Sequence, residues 1–374
     1  MSREVPEGWR RSHLGDLLKL EYGKALASAE RRDGANPVYG SSGIVGYHDK
    51  AAAAGPSIVI SRKGSLGGVF YVEGGFWPID TTYFVVQREN SDWRWLTYLL
   101  KFVSLERLNE ATGVPGLNRD KAAKEQVFVP PLHEQRRIAE ILSSVDEAIA
   151  ATRAVIEQTR KVKQGVLERL LTKGIGHTRF KQTEIGEIPE AWEVANFGEI
   201  FKLTSGKLRS VKSLAAVESD ASPYPAYGGN GIAGYSSEYL VNGDLIVIGR
   251  VGEYCGSAYR SSGKAWITDN ALYTREFLFE VDRDFIAYAF SRVPLENIRG
   301  GGGQPLVNQT AIYAQMLALP SLGEQKAIVE SLKSFDSTAP DKQLRRLVEV
   351  KSALMSDLLT GRKRVTDALP MAAE

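Results

Sequence analysis

Two arginines stand at matched places in this sequence. Arg62 follows the apolar run Ile58-Val59-Ile60-Ser61, and Arg250 follows Ile246-Val247-Ile248-Gly249. A guanidinium is a rigid fork of donors that fits the guanine edge of a base pair, and Asn or Gln amides fit adenine. Short polar loops beside these arginines could do the same work. In the first half they are Ser41-Ser42, Arg62-Lys63-Gly64-Ser65 and Asn118-Arg119. In the second they are Gly229-Asn230, Arg250-Val251-Gly252-Glu253, Gln304 and Asn308-Gln309. Read as segments without aligned counterparts in the other half, they suit two different targets. Lys24, Lys207, Arg209 and Lys212 could meet phosphate, which fixes register without reading bases. For each side chain an ordinary surface or turn role is the alternative.

Signals for covalent chemistry are weak. Asn36-Pro37-Val38-Tyr39 looks like the Asn-Pro-Pro-Tyr loop of adenine methyltransferases, but the matched segment is Tyr224-Pro225-Ala226-Tyr227, without Asn. No Gly-rich cofactor loop follows a convincing strand-helix-strand unit, and no Gly-x-x-x-x-Gly-Lys-Ser/Thr phosphate loop occurs. Glu349-Val350-Lys351 has a nuclease-like look but falls inside a helical pattern. His13, His48, His133 and His177 lack metal-ligand spacing, so neither a catalytic residue nor a metal site is expected.

The places match because the chain repeats. Pro6 to Leu26 and Pro189 to Arg209 are identical at eight of twenty-one positions, including Trp9/Trp192, Gly15/Gly198 and Gly23-Lys24/Gly206-Lys207. Tyr39-Gly40…Gly43…Gly46-Tyr47 aligns with Tyr227-Gly228…Gly231…Gly234-Tyr235, and Trp77 and Asp80 with Trp266 and Asp269. Pro130 to Asp146 and Pro320 to Asp336 agree at nine of seventeen positions. The offset widens from 183 residues at Trp9/Trp192 to 190 at Pro130/Pro320. Such a period is too long for a solenoid and describes a globular unit plus a connecting helix, occurring twice. Trp9, Trp192, Trp77 and Trp266 are expected in the cores. Tyr39, Tyr47, Tyr227 and Tyr235 are expected to brace the Gly-rich loops, with stacking on an extruded base as the alternative.

Each globular unit reads as mixed α/β. Strands are expected at 57–61, 83–87 and 244–249, helices at 93–108 and 283–293, and loops or tight turns around 40–46, 64–68, 228–234 and 300–303. Ile138, Leu142, Val145, Ile149, Val155 or Ile156, Val162, Val166 and Leu170 recur every three to four residues, and Leu344, Leu347, Val350, Leu354 and Leu358 do likewise. These stripes suit helix-on-helix packing. Pro340 is expected to break the second copy over 337–341, and Gly174 and Gly361 to end the two helices. With a globular unit between them, the helices should run antiparallel. About 30 residues of helix span roughly 45 Å, more than one DNA turn of about 34 Å. The expected partition is 1–130, helix 131–174, 175–320, helix 321–362 and a tail over 363–374.

The order of motifs resembles the specificity subunit of Type I restriction-modification systems, over roughly residues 6 to 362. The motifs are a Pro-Glu-x-Trp start, a Tyr-Gly…Gly…Gly-Tyr loop, a strand with Arg, Trp…Asp, and Pro-x-Leu-x-Glu-Gln-x-x-Ile entering a helix that ends Leu-Leu-Thr. The last segment, at Pro130 to Ile138 and Pro320 to Ile328, is the most specific. The resemblance implies two pseudo-symmetric target-recognition domains separated by two long antiparallel spacer helices. Each domain would read one half of a bipartite duplex target. The helices would dock two methyltransferase subunits, and two restriction subunits could join afterwards. It also implies partner contacts through Glu134, Gln135, Arg136, Glu324, Gln325 and Lys326, although a Glu in a first helical turn is favourable by itself. S-adenosylmethionine and ATP are then expected only in partner subunits. A self-contained methyltransferase or nuclease, or a helical adaptor with inert caps, are the rivals.

Composition fits this reading. The chain has 374 residues, is 43% hydrophobic and 25% charged, and carries a net +2. That excludes a disordered chain or a histone-like polycation. Cys255 is the one cysteine, so no disulfide framework is possible within the chain. The start MSREVPEGWRRSH has no apolar core, so no signal peptide is expected. No apolar run is long enough for a membrane span, and a cytoplasmic location is expected.

Overall fold

The computed structural model describes residues 5–109, 115–300, 305–335 and 339–365. The chain divides into two compact units, Met1–Ile156 with Ala339–Glu374, and Glu157–Thr338. The first unit begins β1 (Arg10–His13), α1 (Leu14–Leu17), β2 (Leu18–Tyr22), β3 (Asn36–Gly40) and β4 (Gly43–His48). It continues with β5 (Ser57–Ser61), β6 (Val69–Val72), β7 (Trp77–Pro78), β8 (Thr82–Gln87), α2 (Trp93–Val103) and α3 (Arg119–Ala123). β9 (Gln126–Val129) then leads into α4 (Leu132–Lys173). An antiparallel sheet is ordered β2-β8-β5-β6, a second is ordered β4-β3-β7, and β1 pairs with β9.

The second unit opens with a hairpin, β10 (Phe180–Thr183) and β11 (Gly186–Pro189), that has no counterpart among the described residues of the first. Then come β12 (Glu193–Asn196), α5 (Phe197–Ile200), β13 (Phe201–Ser205), β14 (Tyr224–Gly228), β15 (Gly231–Ser236) and β16 (Val241–Asn242). β17 (Leu245–Gly249), β18 (Ala258–Ser261), β19 (Lys264–Ile267), β20 (Ala271–Phe277) and α6 (Arg283–Phe290) follow. The remainder is α7 (Leu295–Ile298), β21 (Arg299–Gly300), β22 (Leu306–Val307), α8 (Gln309–Tyr313), β23 (Met316–Leu319), α9 (Leu322–Lys333) and α10 (Ala339–Leu358). The sheets repeat the first unit's order, with β16 added beside β19: β13-β20-β17-β18, β15-β14-β19-β16, and β12 with β23. The fold class is the expected one, mixed α/β with two like units, and α4 fits a spacer helix.

The central strands are apolar on both faces because helices cover one side and the small sheet the other. Ser57–Ser61 is buried throughout. Below it Leu14, Leu17, Trp95, Leu96 and Leu100 share a core with Ile138 and Leu142 from α4 and with Leu358 and Leu359. In the second unit Phe197, Phe201, Ile246, Ile248 and Phe285 share a core with Leu167 and Leu171 from the other end of α4. The α4 stripe is therefore used from both ends, each by its own unit. Within the first unit Lys351 Nζ lies 2.5 Å from Asp146 Oδ1, and Arg364 pairs with Glu134. Rising numbers on one side meet falling numbers on the other, so α10 runs antiparallel to the first part of α4.

Several expectations need correction. The Gly-rich stretches 40–46 and 228–234, read as loops or tight turns, do hold tight turns at Ser41-Ser42 and Gly229-Asn230, but these close β-hairpins whose strands take up the rest of each stretch. Their alternation was obscured by glycines that the bulged register requires. Trp77, on an edge strand, and Trp266, on an inner strand, are both half-buried rather than core. The second helical copy is interrupted between α9 and α10 as expected, but Pro340 and Asp341 lie inside α10: proline in a first turn lacks only an N–H that would have no helical partner anyway. α2 stops at Val103, where Ser104 takes a left-handed conformation, φ 54°. Gly174 (φ 64°) and Gly361 (φ 68°) end their helices as expected. Among the described residues no helix is long and apolar enough to cross a membrane.

Candidate nucleic-acid interface

The ends of β2 and β5 and the start of β8 lie side by side, Tyr22 opposite Tyr83 and Ser61 opposite Thr82. Main-chain bonds tie the adjoining segments there. Gly23 N donates to Thr82 O (3.1 Å), Arg62 N to Thr81 O (2.9 Å), Leu117 N to Arg62 O (2.9 Å) and Gly64 N to Pro115 O (3.1 Å). Ser61 Oγ donates to Ser41 O at 2.5 Å. Lys24, Ser41, Ser42, Arg62, Lys63, Ser65, Asn118 and Arg119 are thereby brought to one edge of the first unit.

The second unit builds the same edge. Gly206 N donates to Ala271 O (3.0 Å), Arg250 N to Asn270 O (2.8 Å), Val307 N to Arg250 O (2.8 Å) and Gly252 N to Pro305 O (3.1 Å). Lys207, Arg209, Asn230, Arg250, Glu253 and Asn308 belong to these segments. Arg250, Asn308 and Gln309 line an open depression with Gly300, Leu306 and Val307. Gln304 lies outside the described residues.

The side chains differ between the edges. Arg62 lies 4.8 Å from the Tyr22 ring centre and 5.6 Å from that of Tyr83, and its Nη1 donates to Asp80 O at 2.8 Å. Arg119 lies 4.9 Å from the same Tyr22 ring. Tyr22 itself is 48% exposed. Its counterpart in the second unit is Ser205, whose Oγ accepts from Arg250 Nη1 at 3.4 Å, and Leu272 stands for Tyr83. Arg209 lies 4.4 Å over Trp266 and pairs with Glu238. Lys24 is 5.8 Å from the Trp77 ring. Lys63, Ser42, Ser65, Lys207, Lys212 and Glu253 are exposed. Asn230 Oδ1 accepts from Tyr259 at 3.2 Å. The Tyr22/Ser205 difference was visible in the aligned Tyr-Gly-Lys and Ser-Gly-Lys, but a tyrosine at a strand end carries no sign of its platform role until the arginines are placed.

Other candidates have internal work. Asn118 and Asn308 are true counterparts: each caps its following helix, accepting from Lys121 N and Asp120 N or from Thr310 N. Tyr39 and Tyr227 are buried braces, whereas Tyr47 is exposed. The partner contacts expected of Glu134, Gln135 and Gln325 must be corrected, because all three are buried. Glu134 accepts from Trp9 Nε1 (3.1 Å) and from Arg364. Glu324, mostly buried, accepts from Trp192 Nε1 (2.9 Å) and Ile175 N (3.1 Å) and meets His177 Nε2 (2.8 Å). Gln135 and Gln325 accept from Asp92 N and Asp282 N (both 2.8 Å), joining each spacer start to its globular layer. Arg136 and Lys326 remain exposed. Among the described residues no three His, Cys, Asp or Glu side chains are grouped to hold a metal.

Comparison with known proteins places this architecture. The family described as Type I restriction modification DNA specificity domain matches twice, over residues 6–159 and 189–350. The specificity subunit of the type I restriction enzyme MjaVIII from Methanocaldococcus jannaschii is 28% identical over 405 residues, covering 96% of this chain and 94% of that protein. The EcoprrI specificity subunit from Escherichia coli is 28% identical over 140 residues, 37% of this chain and 35% of that protein. In fold, the chain is similar to the S subunit of a type I restriction-modification system from M. genitalium, with a TM-score of 0.65, 17% identity and coverage of 96% and 97%. It is also similar to a chain from a study of assembly and conformational transition in the type I system, with a TM-score of 0.55, 15% identity and coverage of 96% and 100%.

Proposed function

This chain belongs to the Type I restriction-modification DNA specificity family, and from that premise we propose how its parts divide the work. The protein is the sequence-specificity subunit, a non-catalytic DNA-recognition component with two target-recognition domains. Each domain engages one half of a bipartite duplex target through the edge described above. The observation that carries this is the pair of edges with the same main-chain bonds and unlike side chains, Tyr22, Tyr83 and Arg119 against Ser205, Leu272 and Gln309. A shared scaffold docks each unit in the same way on its half-site, and the differing side chains let the half-sites differ.

Two methyltransferase subunits dock on the helices, and restriction subunits join that assembly. Within the first unit, exposed Val155 on α4 and Val348 and Val350 on α10 suit a surface that a partner covers. S-adenosylmethionine and ATP are used by those partners. With a net charge of only +2, much of the phosphate contact and its salt dependence falls to them as well. Base-modification sequencing of cells with and without the gene tests the reading. Loss of methylation at one split motif is expected; retention of every modified motif would refute it. Shortening α4 by whole turns should change the spacing between half-sites and leave their identity intact.

A further inference from the structure

The sharpest difference between the two edges is Arg119 against Gln309. Both residues follow a capping asparagine and open a short helix, α3 or α8. Both sit next to a segment bonded to the arginine after the central strand, through Leu117 N to Arg62 O and Val307 N to Arg250 O. They therefore occupy one position in two settings.

In the first setting Arg62 and Arg119 share the half-exposed Tyr22 ring at 4.8 and 4.9 Å. Stacking orders a guanidinium while leaving its five N–H donors unspent. Arg62 uses one at Asp80 O. The acidic neighbour of Arg119 is Asp120 at 3.7 Å, beyond hydrogen-bond length. Two ordered cations gathered on one ring repel each other unless an acceptor-rich partner faces them. A guanine edge is such a partner, and a fork already held flat loses little freedom on meeting it. In the second setting the ring is replaced by Ser205, Arg250 leans on its hydroxyl at 3.4 Å, and the neighbouring side chain is an amide that fits adenine.

Resting on the specificity role above, we propose that Arg119 and Gln309 are paired specificity positions. Arg119, steadied with Arg62 on Tyr22, reads a guanine in the half-site of the first unit. Gln309 beside Arg250 reads an adenine in the half-site of the second.

The test uses the full chain in complex with its methyltransferase subunits and sequences the duplexes it binds from a randomised library. Arg119→Gln should abolish a guanine preference at one position of the first half-site, weakening relative binding to the parent motif by about tenfold or more, with the second half unchanged. Arg119→Lys keeps the charge but loses the fork, and should lose the same preference. Gln309→Arg should shift one position of the second half from adenine toward guanine. An unchanged motif in all three, or a uniform loss in Arg119→Gln that Arg119→Lys restores, would assign Arg119 to phosphate and overturn the proposal. Exchange of residues 1–130 for the same domain of a relative runs alongside. If exchange rewrites one half-site while Arg119→Gln changes nothing, the pairing alone is wrong. If exchange also changes nothing, the modular reading falls with it.

Discussion

The two units spend their identical and their differing residues in different places. Where a spacer helix starts, each uses a Trp, a Glu and a Gln to lock helix to sheet. At the sheet edge, each uses the same chain of main-chain bonds but a different set of side chains. A fourth member of the lock differs: Arg364 closes on Glu134, whereas His177 closes on Glu324. Both come three residues after the glycine that ends a long helix, Gly361 and Gly174. Main-chain geometry and buried contacts set where the edge lies, and the exposed side chains set what it meets.

The lock gives the largest expected effect and can break this comparison. Glu134→Ala would strand a buried Trp9 N–H and take from Arg364 its carboxylate partner. Removing one partner of a buried pair costs about 3–5 kcal/mol. Glu324→Ala removes the acceptor of Trp192 Nε1 and Ile175 N but uncovers no arginine, so about 1–3 kcal/mol is expected. Hydrogen exchange read separately on peptides of each unit measures both. Equal losses would mean that Arg364 contributes nothing beyond what His177 does.

Gly23 and Gly206 come next. A Cβ there would lie 2.1 Å from Ile79 O or Thr268 O, a clash with main chain that no rotamer relieves. Gly23→Ala and Gly206→Ala should each destabilise their unit by at least about 1–3 kcal/mol. The comparison requires the two losses to match, since the main-chain bonds around these glycines are alike in both. A loss in one unit alone, seen by thermal unfolding with unit-resolved exchange, would show that the edges are not equivalent.

Capping separates scaffold from reader at smaller cost. Asn118→Ala and Asn308→Ala should each cost about 1 kcal/mol and leave the bound motif unchanged. A change of motif would return these residues to the reading role first assigned from their type.

How much of this was legible follows from which forces act locally. The repeat, the central strands, α4 and the terminal glycines could be read because burial and periodicity write themselves into short stretches. The hairpins at 36–48 and 224–236 could not, because their register depends on bulges at Val38/Tyr39 and Ala226/Tyr227. Glu134 read as a surface first-turn acid because its partners, Trp9 and Arg364, lie 125 and 230 residues away. Arg62 was found from its place after a strand. Tyr22 was not, since its worth comes from two arginines that only the fold brings together.

The smallest predicted effect tests one more exchanged pair. Arg94 lies 5.7 Å from the Tyr71 ring in the first unit, and its carboxylate contact, Glu73 at 3.3 Å, is well exposed. At the same places in the second, Asp284 meets Arg260 at 2.6 Å and Lys333 at 2.7 Å. Burial alone would raise the Asp284 carboxyl, but the hydrogen bonds and charges of Lys333 and Arg260 outweigh it and hold it below the ordinary range. A carboxyl depressed in the folded state adds stability above its unfolded value of about 3.9, and that stability is lost as pH falls through the lower folded value. The second unit should therefore lose a contribution below about pH 4 that the cation–aromatic pair of the first does not lose. Asp284→Asn should remove that pH dependence at a cost under about 1 kcal/mol at neutral pH, since the pair is partly exposed. Unit-resolved exchange between pH 3 and 6 reads it. If both units weaken alike and Asp284→Asn leaves the profile unaltered, the acid response belongs to the carboxylates the units share, and this exchange of an ion pair for a ring is neutral to stability.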